Sequence, residues 1–191
     1  MGEPKSCLPI LDVMFQEGFK FTKINHSQNP SPPPIVTYNY AFRGKTGKRY
    51  LVIVEQYDFY VYIVKFCLQE RKVHPDRFNI LTGLNECSRI LTTIGAIMKD
   101  FYNKNPYVSF GFLGSPLPGE KANNTKRFRA YARVVSQMIS PVDFEHRPSP
   151  KHSAYLLLNI HNSEPDLFAK VTQMFNQIYP IQESFGVDQT S

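Results

Sequence analysis

The sequence predicts an α+β fold in a single domain, with a mixed sheet of about five strands packed against three amphipathic helices. At residues 35–42, apolar side chains recur with the period of two that half-buried strands show, and residues 59–68 are rich in Tyr, Val, Ile and Phe. Three later segments instead repeat apolar residues at helical spacing. The chain has 191 residues, of which 42% are apolar and 14% aromatic, a composition that suits one core and excludes a disordered chain.

The first 34 residues are predicted to form an N-terminal segment that precedes the domain. Residues 7–19 indicate one short helix that ends near Gly18. Residues 27–34 contain four prolines, which lack the amide hydrogen and favour an extended polyproline conformation. We therefore expect a proline-rich connector there, or a strap that docks on the domain, and not a helix or a central strand.

A meander of three antiparallel strands is predicted next, at residues 35–42, 49–56 and 59–68. Residues 43–48 contain two glycines and are expected to form the turn between the first two strands. The segment that follows is expected to be irregular, apart from a short strand at residues 78–81.

Helices and strands alternate in the remainder of the chain, which gives the order βββ-α-β-α-β-α. Asn85 is the expected N-cap of the first helix, and Asn124 or Thr125 that of the second. The predicted elements are a helix over 86–103, a strand at 108–113, a helix that ends at 139, a strand at 154–161 and a helix over 167–178. The domain would then cover residues 35–181, and residues 182–191 would form a loose tail.

The positive charge is concentrated in the first three quarters of the chain. The whole sequence has 22 Lys and Arg against 16 Asp and Glu, a net charge of +6. Residues 1–139 carry 19 basic and 10 acidic residues (+9), and residues 140–191 carry 3 and 6 (−3). Such an asymmetry is typical of a protein with an anionic partner, and also of a basic protein with an ordinary solvated surface.

We expect a cytoplasmic protein with reduced thiols. Cys7, Cys67 and Cys87 are an odd number and include no Cys-x-x-Cys pair, which argues against a disulfide framework or a cysteine zinc site. The N-terminus shows no apolar signal sequence. The most apolar run, residues 51–68, is interrupted by polar and charged side chains, so no membrane span is predicted.

A basic run after residue 120 is the most suggestive feature for function. On a helix, Lys126, Arg129 and Arg133 would share the face opposite the apolar stripe, and Arg127 would lie at the border of the two faces. A helix N-terminus offers backbone N–H groups to an anion, and arginines add bidentate phosphate contacts. The run, which has no acidic residue after Glu120, therefore predicts a phosphate-bearing partner, with a solvated helix face as the alternative. Its members are Lys121, Lys126, Arg127, Arg129 and Arg133.

A second basic group lies in the first predicted turn. It is formed by Arg43, Lys45, Lys48 and Arg49, next to Tyr38, Tyr40 and Tyr50. Basic residues interleaved with aromatics are typical of nucleic-acid binding through charge and stacking. Hairpin tips are also rich in lysine because charge protects strand edges, so the group has an ordinary structural explanation too.

No known motif for catalysis, metal binding or cofactor binding is found. Gly44-Lys45-Thr46 lacks the first glycine of a P-loop and precedes a predicted strand where a P-loop requires a helix. His146 and His152 have no cysteine pair with them, whereas a single-metal site needs three or four converging ligands. We therefore predict no catalytic residue, no metal and no cofactor, and favour a protein that is not an enzyme.

Part of the second half is similar to a known pattern. A helix at residues 89–104 is followed by Asn105-Pro106, by a strand that leads into Gly114-Ser115, and by a helix with the sequence Thr-Lys-Arg-Phe-Arg-Ala-Tyr at 125–131. This succession resembles a family of small uncharacterised bacterial proteins, and it covers about a third of the chain. The loop at 116–124 is longer than in that family. The resemblance implies a bacterial cytoplasmic α+β protein and no particular activity.

Three functions are consistent with the sequence. The first is a non-enzymatic binding protein whose basic edge contacts nucleic acid or another polyanion. The second is a protein-interaction module or a subunit of a larger assembly, with a protein partner or a second copy, because 15 Phe and 11 Tyr would suit a partner surface. The third is an enzyme whose acidic metal ligands converge near Glu120. No membrane partner is expected.

Overall fold

Seven strands form one mixed sheet in the computed structural model, which describes residues 17–74 and 86–178. Within these residues, three α-helices accompany the sheet. The strands are β1 (Phe21–Gln28), β2 (Val36–Arg43), β3 (Arg49–Tyr57), β4 (Val61–Leu68), β5 (Ser109–Leu113), β6 (Phe144–Ser149) and β7 (Ala154–Asn159). The helices are α1 (Cys87–Lys104), α2 (Lys126–Met138) and α3 (Leu167–Ile178).

The strands lie in the order β1-β2-β3-β4-β5-β7-β6. β1 to β4 form an antiparallel meander, in which Tyr40 pairs with Val52 and Val52 pairs with Phe66. β4 and β5 are parallel, with Val61 beside Ser109, and α1 lies in the crossover that a parallel pair requires. β5, β7 and β6 continue the sheet with antiparallel pairs.

The α+β class, the antiparallel meander and the three helices are confirmed, but the number and order of strands need correction. The sheet has seven strands where about five were predicted, and the order is ββββ-α-β-α-ββ-α in place of βββ-α-β-α-β-α. The additional strands, β1 and β6, are the two edges of the sheet. Seven of the eight residues of β1 are exposed, and β6 contains Pro148 and only one apolar side chain that is buried, Phe144, so neither sequence shows the repeated apolar residues of a half-buried strand.

The connection between β1 and β2 is a closed loop. The backbone N–H of Asn29 donates to the carbonyl of Ile35 at 3.0 Å, and its side-chain amide donates to the carbonyl of Pro34 at 2.6 Å. Residues 17–20, which precede β1, carry no helix. The remainder of the predicted helix at 7–19, the strand at 78–81, the cap Asn85 and the tail at 182–191 lie outside the described residues.

The two faces of the sheet carry separate apolar clusters, because alternate residues of each strand point to opposite faces. α1 and α2 contribute to the larger cluster, in which Tyr50, Ile97 and Leu157 are fully buried. α3 packs on the other face through Val171, Met174 and Phe175. The sheet is therefore covered by helices on both sides.

The first turn of α2 is fixed against the end of β5. Thr125 is the N-cap, since its Oγ1 accepts a hydrogen bond from the N–H of Phe128 at 3.1 Å and donates one to the carbonyl of Gly114 at 2.6 Å. A Cβ at Gly114 would lie 2.5 Å from the nitrogen of Phe128, so glycine is required for this close approach. Between the two caps that the sequence allowed, the structure selects Thr125, and it places the basic segment of α2 at the end of the sheet.

Candidate functional site

The two predicted basic segments lie at the same end of the sheet. β2 ends at Arg43, which pairs with Arg49 at the start of β3. The ends of β4 and β5 lie on this side as well, because β4 is antiparallel to β3 and parallel to β5. α2 begins here, since its cap Thr125 binds Gly114 directly after β5. We call this part of the molecule the basic end; it comprises residues 43–49 and 121–133.

Eight of the nine predicted cations are exposed at the basic end, whereas Arg127 is not. Arg127 is half-buried and lines a cavity together with Tyr131, one turn further along α2. The border position that the helical pattern indicated for Arg127 therefore corresponds to burial between α2 and its neighbours. The eight exposed cations are Arg43, Lys45, Lys48, Arg49, Lys121, Lys126, Arg129 and Arg133.

Several of the exposed cations have neighbours from their own chain. The amino group of Lys48 lies 3.4 Å from the carboxylate of Glu70, and both side chains are exposed. Arg43 donates to the carbonyl of Gly47 at 3.1 Å, and Arg129 donates to the carbonyl of Asn124. Exposed ion pairs contribute only about 0–1 kcal/mol, so these contacts leave the positive charge available to a partner.

Backbone N–H groups near the N-terminus of α2, where the sequence predicted an anion site, already have hydrogen-bond partners within the chain. Glu120 accepts hydrogen bonds from the N–H of Lys126 at 2.7 Å and from the N–H of Leu117 at 2.9 Å. These backbone bonds, and the nearby charges of Lys126 and Arg129, hold the pKa of Glu120 below its ordinary value. Glu120 therefore has a local capping role, and an anionic partner at this end would contact side chains.

The tyrosines beside the first turn do not form a stacking surface. Tyr50 and Tyr40 belong to the larger core cluster and are 0% and 3% exposed. Tyr38 is half-buried and packs edge-on against Phe101, with ring centroids 5.0 Å apart. The interleaving of basic and aromatic residues in the sequence thus results from strand alternation, which directs the rings to the core.

Arg127 and Tyr131 of α2 interact electrostatically with each other and with the exposed Cys87 at the start of α1. Burial lowers the pKa of Arg127 and raises the pKa of Tyr131 to about 12. Desolvation also raises the pKa of the Cys87 thiol, and the smaller effect of Arg127 acts in the opposite direction. Tyr131 and Cys87 therefore stay protonated at neutral pH, which makes Cys87 a poor nucleophile.

His146 and His152, which were considered above as metal ligands, each lie within hydrogen-bond distance of a different neighbouring hydroxyl group. Nδ1 of His146 lies 2.8 Å from the hydroxyl of Tyr155, and Nδ1 of His152 lies 2.9 Å from the hydroxyl of Ser149. Among the residues that the structure describes, no group of three or more His, Cys, Asp or Glu side chains is arranged as metal ligands would be.

The cavity beside Arg127 is a feature that reasoning from the sequence missed. Its walls come from β4, β5, α1 and α2, which are far apart along the chain. One feature of the sequence pointed to the cavity, namely the position of Arg127 at the border of the apolar face of α2. The apolar wall residues themselves follow the same pattern as ordinary core residues, so they could not be distinguished.

Comparison with protein-family models, with curated proteins and with solved structures finds no match to this chain. The resemblance of residues 89–131 to small bacterial proteins therefore stays a prediction. None of the helices in residues 17–74 and 86–178 has both the length and the apolar character that a membrane span needs. Fold and site together define an α+β protein with a basic end and an adjoining apolar cavity.

Proposed function

We propose that this protein is a binding protein whose basic end contacts a polyanion, with nucleic acid as the first candidate. The observation that supports this proposal is the meeting of eight exposed cations, from two separate segments of the chain, at one end of the sheet. Of the acidic residues near this end, Glu70 is engaged with Lys48 and Glu120 with backbone N–H groups. Glu86 is buried beside Gly44. The surface there is consequently dominated by positive charge.

Recognition of the phosphate backbone, without selection of base sequence, fits this surface best. Exposed lysines and arginines gain affinity by releasing the counterions of a polyanion, which requires no particular base. Base stacking needs exposed aromatic rings, and Tyr40 and Tyr50 are buried. Affinity should then depend steeply on salt and weakly on sequence.

The test is a salt titration of oligonucleotide binding, measured by fluorescence anisotropy with a labelled single strand of mixed sequence. The double variant Arg129→Gln/Arg133→Gln removes two exposed charges from α2. We expect the slope of log K against log salt to become shallower by about 1.4, since each lost phosphate contact on a single strand changes it by about 0.7.

A matched control is the double variant Lys99→Gln/Lys104→Gln, which removes the same charge from the last turns of α1, away from the basic end. We expect it to leave the slope within about 0.3 of the unmodified protein, as it removes no phosphate contact. The proposal is wrong if the two double variants have the same slope and the same affinity.

A second candidate, a protein-interaction module, is favoured by an exposed apolar patch at the opposite end of the sheet. Tyr60, Tyr107 and Ile160 are 51%, 49% and 55% exposed. The side chain of Asn162 donates to the carbonyls of Phe59 at 3.0 Å and Tyr107 at 3.1 Å, and so ties two of these segments together. Aromatic side chains held in place at a surface are typical anchors of protein interfaces.

Sedimentation velocity over a range of concentrations tests this second candidate with a copy of the chain as partner. Self-association through the patch predicts a mean mass that rises with concentration, and a constant monomer mass in the variant Tyr60→Asn/Tyr107→Asn. A constant monomer mass in the unmodified protein would contradict it.

A further inference from the structure

A cavity of about 240 Å³ lies between the sheet and the helices α1 and α2. Its walls are mainly apolar and include Phe66 of β4, Phe112 of β5, Met98 of α1, and Val134, Val135 and Met138 of α2. Native interiors contain few voids larger than a water molecule, so an apolar space of this size is unusual. An apolar cavity of about 150 Å³ admits benzene, so a larger ring or a short hydrocarbon chain would fit here.

The cavity reaches the surface at the end of β5. Leu113, which lines it there, is 37% exposed, and the neighbouring wall residue Ser115 is half-buried. Arg127 lies on the same side, because the first turn of α2 packs directly on the end of β5. A small molecule could therefore enter beside Arg127 with its apolar part first.

Two polar side chains are placed to receive the other end of such a molecule. Arg127 and Tyr131 are four residues apart on α2 and so lie on one side of the helix, and both line the cavity. Glu120 is an acidic neighbour of Arg127, but its two oxygens already accept backbone N–H groups. The guanidinium thus has donors to offer to an incoming anion, and the protonated hydroxyl of Tyr131 can donate as well.

We propose that this cavity binds a small apolar molecule with one carboxylate, whose hydrocarbon part lies among Phe66, Phe112 and Met138 and whose carboxylate contacts Arg127 and Tyr131. A single guanidinium matches a monoanion, with two parallel N–H···O bonds to the carboxylate. Lys65 also lines the cavity, but its amino group is paired with the carboxylate of Glu55 at 2.6 Å. The half-buried Arg127 alone would not neutralise a phosphate dianion. The site is separate from the exposed cations of the basic end, so it extends the proposed function with an independent ligand.

Isothermal titration calorimetry of the full chain with octanoate and with 1-octanol tests the proposal. The two probes have the same hydrocarbon chain and differ in the anionic group. We expect octanoate to bind about tenfold to hundredfold more tightly, because hydrogen bonds to a charged group contribute about 1.5–3 kcal/mol each. In Arg127→Gln the affinity for octanoate should fall to that for octanol, while octanol binds as before.

Arg133→Gln is the matched control, because Arg133 is an exposed arginine of the same helix and does not line the cavity. It should bind octanoate with unchanged affinity and bind the oligonucleotide less tightly. Val134→Phe places an aromatic ring in the cavity, where valine has only an isopropyl group, and should abolish binding of both probes. If circular dichroism shows that Arg127→Gln does not fold, the comparison of octanoate with octanol in the unmodified protein still tests whether the carboxylate is recognised.

Equal affinities for octanoate and octanol would overturn the proposed carboxylate contact. Absence of any binding up to the solubility limit of the probes would overturn the ligand site itself and leave a packing void. Loss of octanoate binding in Arg133→Gln to the same extent as in Arg127→Gln would show that octanoate binds the basic end. None of these results depends on oligonucleotide binding, so the two proposals can fail independently.

Discussion

Phe59 and Tyr60 are both held in the left-handed backbone region at the β3–β4 connection, with φ of 58° and 57°. Side chains other than glycine, asparagine and aspartate rarely adopt it, at a cost of about 1–2 kcal/mol per residue. We expect Tyr60→Asn to raise the free energy of unfolding by about 0.5–1 kcal/mol, measured by urea denaturation, because Tyr60 is exposed and asparagine tolerates this conformation.

Phe59→Asn is the control for this prediction. Phe59 has the same backbone conformation, but its ring packs against the cluster under α3, so its replacement should lower the stability. Equal effects of the two substitutions would mean that packing of the Phe59 ring does not contribute to stability. A Tyr60→Asn variant no more stable than the unmodified protein would contradict the predicted relief of backbone strain. A stabilising Tyr60→Asn would also indicate that tyrosine is retained there for a purpose other than folding.

His146 predicts how stability depends on pH. Burial lowers its pKa below the ordinary value of 6.5, so the folded protein binds this proton less readily than the unfolded chain. The stabilisation is present above pH 6.5 and is lost as the pH falls toward the pKa of the folded state. The contribution of one proton is at most about 1.4 kcal/mol per pH unit. In His146→Gln, urea denaturation between pH 7 and 5 should show a shallower decline, and an unchanged decline would contradict the assignment.

Residue types alone predicted the cations of the basic end but not the different environment of Arg127. Lys126, Arg129 and Arg133 are exposed on the helix face that their spacing indicates. Arg127 lies at the border of that face, and whether a border residue is exposed depends on the neighbouring elements. The packing of α2 against α1 and the sheet decided it.

At the scale of the elements, α3 shows how a helix is held by a few buried side chains. Phe175 is 5% exposed and packs edge-on against Tyr57, whereas Phe168 on the same helix is 38% exposed. We expect Phe175→Ala to lower the free energy of unfolding by about 3–4 kcal/mol, and Phe168→Ala by less than about 1 kcal/mol. Urea denaturation of both variants checks this. Similar losses of unfolding free energy would mean that both rings are buried equally, and that α3 packs on the sheet in another orientation.

The elements that the sequence predicted are those whose burial has a clear period. The three helices and the strands of the meander each bury one face, so their apolar residues repeat at the spacing of the helix or strand. β1 and β6 are formed by hydrogen bonds to β2 and β7, and only one side chain of the two strands, Phe144, is buried. Backbone pairing leaves almost no trace in side-chain order, which explains why both edge strands were missed.

For the whole molecule, hydrogen exchange should follow the order of strands in the sheet. β3 and β4 are central and largely buried, whereas β1 is an exposed edge. We expect the slowest amide exchange in β3 and β4 and the fastest strand exchange in β1, measured by mass spectrometry or NMR. Exchange in β1 as slow as in β3 would show that another segment or chain protects this edge.

The sequence by itself determined the α+β class, the meander, the three helices and the residues that carry positive charge, because periodicity and charge are local properties of the chain. The tertiary structure alone decided that two basic segments meet at one end, that Tyr40 and Tyr50 are buried, and that Arg127 lines a cavity. These features join β2, β4, β5, α1 and α2 through the parallel crossover of α1 and the close contact at Gly114. They depend on which distant segments pack together, and the spacing of residues within one segment does not contain that information.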